Sequence, residues 1–261
     1  MLRILDARTG EPVPARRGPT RIEARADGLD PTALRVLLTA DLLVRALELG
    51  GTPVWTILTA PHDRTALRTA ATALTIHPFE DARDLTPGPG TVQAIQVTAG
   101  AADASGGGPV VRVAPVEWRG ECLAGRRADP TSGHAPESAP DPALPALLQD
   151  PSALRLALLT VPRGEAVRLD SALLEEAAGR LARWRRAVAG WARRPSRPVP
   201  DEVRARLRSA WEDDLDLPGV LEVLRAVESA PDLADGARFE TYVYADRLLA
   251  LDLARDLGSP T

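Results

Sequence analysis

An α/β fold, with an open parallel sheet and covering helices followed by an α-helical bundle, is what this sequence predicts. Three observations carry that expectation. Short β-branched runs alternate with helical patterns through the first half, the order that builds a Rossmann-like sheet. The second half shows apolar residues at three-four spacing. Residues 129–147 between them are dense in Pro, Ser and Ala and read as a linker or loop. The expected organisation is a Rossmann-like unit over 1–128, the linker, and a helical bundle over 148–261.

Arg3 to Leu5 and Thr20 to Ala26 read as short strands. Asp30-Pro31 then opens a helix, since Asp caps the free amides and Pro suits the first helical position. Leu34, Leu37, Leu38, Leu42, Ala46 and Leu49 form its apolar face, and Asp41 and Arg45, four apart, are expected to pair on its surface. Gly50-Gly51 ends it. Thr52 to Thr59 is a β-branched strand of the kind buried inside parallel sheets. A helix from Asp63 to Leu74 and strands over Thr91 to Thr98 and Val110 to Val113 follow. Gly100 to Pro109 reads as a loop tip; no strand-Gly-helix context makes its Gly106-Gly107-Gly108 a phosphate loop. In the second half Leu174, Ala177, Leu181, Trp184, Val188 and Trp191 mark a bundle seam. Asp201 to Trp211 is the next helix, Pro218 starts another, and Phe239 to Leu257 is the last.

Composition narrows the function. The chain of 261 residues carries a net charge of −4, which argues against a basic coat for DNA. No apolar run reaches the roughly 18 residues of a membrane helix, and the N-terminus lacks a signal-peptide core, so a cytoplasmic protein is expected. The one cysteine, Cys122, excludes an internal disulfide and a cysteine-rich zinc site. All 32 basic residues other than histidine are arginine; lysine and asparagine are absent, as GC-rich bacterial genomes encode. That rules out a P-loop lysine, a Schiff-base lysine and any lysine-dependent adenylation loop.

Several stretches resemble cysteinyl-tRNA synthetases and the related cysteine ligase of mycothiol biosynthesis, members of the class I synthetase group. Leu2 to Pro12 resembles the family's opening strand and turn. Leu38 to Gly50, with Val54 to Thr59, is similar to its first active-site helix, with the pattern D-x-x-x-R-x-L-E-x-L-G, and the strand after it. Asp150 to Arg155 resembles D-A-E-T-V-R, Leu169 to Val188 resembles the helix that follows, and Trp211-Glu212-Asp213-Asp214-Leu215-Asp216-Leu217-Pro218 resembles M-D-D-D-F-N-T-P. The resemblance implies a synthetase core followed by the bundle that faces the tRNA stem.

The departures fall on the chemistry. Where the family has His-Ile-Gly-His this chain has Ala26 to Pro31, without histidine. Where Lys-Met-Ser-Lys-Ser would fall, near Gly120 to Arg126, both lysines are missing. The zinc ligands, two Cys, a His and a Glu, have no equivalents. Loss of one electrostatic donor alone costs about 2.7–4 kcal/mol of transition-state stabilisation. The first expectation is therefore a non-catalytic paralogue, without cofactor, that binds or regulates a protein or tRNA partner. The alternative is a repurposed ligase that keeps ATP or an aminoacyl donor. Its remnant pocket would draw on Asp30, Trp55, His62, Arg119, Arg126 and Arg127, with Arg112 nearby. A third reading is a homo-oligomer assembled through the bundle seam.

Arg183, Arg186, Arg193 and Arg194, within the run Arg180 to Arg197, offer an anion- or RNA-facing stripe; a solvated face balanced by Glu and Asp is the plainer reading. His62-Asp63 reads as a loop histidine rather than a base, and His77 and His134 are expected to be inert. Asp213, Asp214 and Asp216 are expected to cap a helix rather than hold a metal.

Overall fold

The computed structural model describes residues 1–16, 18–81, 93–100, 108–119 and 144–258. Arg126, Arg127, Cys122 and His134 lie outside the described residues, as do Gly106-Gly107 and residues 129–143 of the expected linker.

Among the described residues, five parallel strands form the central sheet: β3 (Thr20–Arg25), β4 (Val54–Thr59), β5 (Glu80–Asp81), β6 (Gln93–Thr98) and β7 (Val110–Arg112). Their spatial order is β5-β4-β3-β6-β7, all neighbours parallel. The chain therefore starts in the middle, winds outward, then returns past its first strand, which is the doubly wound Rossmann order. The switch point lies between β3 and β6, whose carboxyl ends Arg25 and Thr98 are direct partners.

α1 (Pro31–Leu49) lies over β3, β4 and β6 and is covered by α8 (Asp235–Leu249) and by β8 (Val116–Trp118). It is buried nearly all round, not on one stripe. α2 (Arg64–Ala73) follows β4. Ahead of the sheet, β1 (Arg3–Asp6) and β2 (Glu11–Pro14) form an antiparallel hairpin that the sequence reading took only as a first strand. Pro12 and Pro14 obscure β2 as a strand. The Ala15 N–H donates to the Leu2 carbonyl, so by alternation both prolines fall where the ladder needs no donor.

α3 (Leu144–Leu147), within the expected linker, leads into α4 (Pro151–Leu159), whose N-cap Asp150 accepts from the Ala153 N–H. β9 (Val167–Leu169) pairs in parallel with β8, a second small sheet absent from the sequence reading. Then come α5 (Ser171–Trp191), α6 (Asp201–Glu212), α7 (Leu217–Ser229) and α8. On the α5 seam Ala177, Leu181, Trp184 and Val188 are buried as expected. The last helix is displaced from its expected span of 239–257. It stops at Leu249 because Ala250 turns left-handed and the Asp246 carboxylate captures the Leu251 and Leu253 amides at 2.8 and 2.9 Å. One hydrophobic cluster runs from Leu2 to Leu253 and includes both halves. Among the described residues no helix is long and apolar enough to cross a membrane.

Candidate functional site

In a sheet of this order ligands lie beyond the carboxyl ends of the strands, at the switch point. Here that place is built from Ala26 to Asp30 after β3, Pro61 to Asp63 after β4, and Ala99-Gly100 after β6. A helix N-terminus in this position ordinarily offers free amides to a phosphate. α1 does not. Pro31 removes one N–H, and the Asp30 carboxylate accepts from the Ala33 N–H at 2.6 Å, placing a negative charge on the helix end. Asp63, left-handed at φ 53°, reaches across to accept from the Leu29 N–H at 3.3 Å. The Thr32 hydroxyl accepts from the Val116 N–H at 3.0 Å and ties the same turn to β8. With its amide oxygen turned toward Arg25, Gln96 accepts from Nε at 2.7 Å and Nη2 at 3.2 Å. These residues do not fit a triphosphate: two carboxylates and a proline stand where donors would be needed.

Among the described residues, those expected to line the remnant pocket are not brought together. Asp30 and His62 lie at the carboxyl edge of the sheet and are exposed. Trp55 is the second residue of β4, opposite Arg21 at the amino end and about 13 Å along the strand from its last residue, Thr59, beyond which His62 lies. Arg119 follows β8, exposed, within 4.0 Å of Glu117. Among the described residues no group of three or more His, Cys, Asp or Glu is placed to hold a metal. Asp216 caps α7, accepting from the Gly219 N–H at 2.9 Å, while Asp214 accepts from the Leu5 N–H at 2.7 Å and from Arg163.

Within the arginine stripe Arg183 donates to both oxygens of Glu228 at 3.0 and 3.4 Å, and Arg194 lies 3.9 Å from Asp235. Arg185 donates to the Leu251 and Asp252 carbonyls. Arg186, Arg193 and Arg197 are exposed. Trp184 donates its indole N–H to Glu228 at 3.1 Å and is fully buried; Trp191 packs edge-on to Tyr242, so neither is an exposed seam for self-association.

Residues from two of the stretches that carry the resemblance meet in a buried clasp. The Asp41–Arg45 pair forms at 2.8 Å, but it is not at the surface: the Asp41 side chain is 0% exposed. Arg155 of α4, 1% exposed, donates to the same carboxylate oxygen as Arg45, Oδ2, at 2.7 Å, and to the Leu74 and Leu249 carbonyls at 2.7 and 2.6 Å. The His77 amide and ring Nδ1 take Asp41 Oδ1 at 3.0 and 2.6 Å. Burial alone would raise the Asp41 carboxyl; the His77 hydrogen bond and the Arg155 and Arg45 guanidiniums outweigh it and hold it well below the usual carboxylate range. Arg35 is a second clamp. It donates to the Ala114, Glu165, Val161 and Pro162 carbonyls at 2.6 to 3.2 Å, and burial lowers its guanidinium to about 10. The burial of Arg35 and Arg155 was not expected from the sequence. The available signal was the all-round apolar composition of α1, which leaves no solvent face for a charge.

Known proteins match part of this chain. No family model does. The chain is 44% identical over 87 residues, 33% of its length, to an L-cysteine:1D-myo-inositol 2-amino-2-deoxy-alpha-D-glucopyranoside ligase of Catenulispora acidiphila. It is 43% identical over 81 residues to the enzyme of that name from Thermobispora bispora, and 43% over 72 residues to that of Streptomyces griseus. The matched stretch spans only 19% of the Catenulispora and Thermobispora proteins. What the comparisons establish is local similarity to ligases of the mycothiol cysteine type, one of the two groups that the sequence motifs resemble.

Proposed function

We propose that this chain is a non-catalytic relative of the cysteine-activating ligases, retaining their scaffold as a binding or regulatory module for a protein or tRNA partner. The observation that carries this reading is the sealed α1 terminus. Asp30, Pro31 and Asp63 occupy the switch point, and no lysine exists anywhere in the chain to meet a phosphate. The similarity to the ligases is strong over a short stretch, and the positions of the D-x-x-x-R and D-A-E-T-V-R-like motifs serve the clasp between Asp41, Arg45 and Arg155. Motifs that resemble an active enzyme's are thus occupied in holding the fold.

The test is cysteine-dependent exchange of pyrophosphate into ATP. The expected result is no exchange above a protein-free control. Exchange that requires cysteine would establish the second reading, a repurposed ligase, which the 44% identity to ligases favours. For the partner, exposed Arg186, Arg193 and Arg197 predict that any tRNA complex weakens steeply with salt. A complex indifferent to salt points to a protein partner instead.

A further inference from the structure

A second recess lies at the opposite edge of the sheet, where Rossmann-type ligands do not bind. It is a cleft of about 400 Å³ at the amino ends of β3 and β6, lined among the described residues by Asp6, Arg8, Arg16, Arg21, Gln93 and Gly108 with neighbouring apolar groups. Three guanidiniums thus share one opening with a single carboxylate.

That carboxylate is already engaged. Asp6 is nearly buried, accepts from Arg8 Nε and Nη2 at 3.3 and 3.1 Å, and takes the Val110 N–H at 3.0 Å. Its contribution is to fix Arg8, which also donates to the Gly108 carbonyl. Arg21 is held by Glu23 at 2.6 Å, and Glu23 is not among the lining residues. The Arg21 Nε is buried without a hydrogen-bond partner. Arg16 is exposed, with its backbone anchored by the Gln93 side-chain oxygen at 2.8 Å. Gly108 closes the floor: a Cβ there would come within 1.7 Å of the Ala94 carbonyl oxygen, so the two backbones meet only because the residue is glycine. Arg8 and Arg21, braced in this way, lose little freedom on meeting an oxyanion, Arg16 adds an exposed guanidinium at the mouth, and planar guanidiniums suit phosphate oxygens.

We infer that this cleft is a binding site for a phosphate monoester on a small polar body, of sugar-phosphate size, taken up at the amino edge of the sheet. Its volume is within the range of small-molecule sites and exceeds what a bare phosphate fills. The inference is independent of the ligase-related reading, because none of its residues lies at the switch point.

Isothermal titration of the full chain with ribose 5-phosphate, and separately with inorganic phosphate, tests it. Ribose 5-phosphate is expected to bind more tightly than phosphate. Arg16→Ala, a change at an exposed side chain, is expected to weaken it by at least about tenfold. Arg21→Gln should act in the same direction, and His62→Ala at the switch point should leave binding unchanged. Circular dichroism shows whether each variant folds. No binding by the parent chain overturns the inference, as does equal binding by folded Arg16→Ala, or loss on His62→Ala. Equal affinity for phosphate and the ester overturns the claim that the cleft reads the body as well as the anion.

Discussion

Asp41 joins three parts of the chain that are distant in sequence: α1, the loop at His77, and Arg155 of α4. Removing one partner of a buried pair leaves the other charged and unmatched, which costs about 3–5 kcal/mol. Asp41→Asn is expected to lose that much in urea unfolding, and Arg155→Met should do the same. The pH dependence has a definite sign. A carboxyl depressed in the folded state contributes stability above its unfolded value, about 3.9, that is lost as pH falls below it toward the folded value. Asp246 works the other way, since burial raises it despite the Leu251 and Leu253 amides, so its protonation on acidification favours the fold. Acid unfolding of the parent chain should therefore be steeper once Asp246 is replaced by Asn, and shallower in Asp41→Asn. The four-residue spacing of Asp41 and Arg45 was legible in the sequence. Its burial was not, because spacing specifies a neighbour along the helix and says nothing of what packs over both.

Among elements, α5 and α8 carry the clearest consequences. Trp184 of α5 is fully buried, edge-on to Tyr242 with ring centroids 5.8 Å apart. Trp184→Ala is expected to cost about 3–5 kcal/mol, read as a lower thermal midpoint. At the start of α8, a Cβ on Gly236 would stand 2.0 Å from the Pro195 carbonyl oxygen. Gly236→Ala should therefore destabilise by about 1–3 kcal/mol although alanine is the better helix former, through overpacking against the 195–197 backbone. The strands β3, β4, β6 and β7 and the helices α1, α2, α5, α6 and α7 were readable from periodicity and caps. β8 and β9 were not: each has three residues, and their pairing joins segments some fifty residues apart. The end of α8 was misread because its stop is a side chain, Asp246, inside the helix, with no glycine or proline among residues 250–257 to mark it.

At the scale of the whole molecule, the α/β half and the helical half share one core. α1 touches both the sheet and α8, and Arg155 and Arg35 fasten the second half to the first. Calorimetry is expected to show a single unfolding transition, and a fragment of residues 148–261 is expected not to fold alone; two resolved transitions would establish two independent units. The sequence placed the fold class but drew a boundary at residues 129–147. Composition shows where a chain turns polar and proline-rich, not which surfaces close again across the gap. As for the switch point, the missing histidines and lysines were visible in the sequence, as was Asp30 as a cap, whereas the reach of Asp63 across to the Leu29 amide required the geometry.

The clasp also sets a schedule for synthesis. Asp41 emerges from the ribosome 114 residues before Arg155, and Arg155 in turn waits for the Leu249 carbonyl. Through most of translation the nascent sheet therefore carries a helix whose Asp41 still lacks its Arg155 partner and whose flank toward α8 is uncovered. The chain is expected to depend on holding chaperones until α8 is complete, and stalled shorter products should be cleared by proteases rather than accumulate.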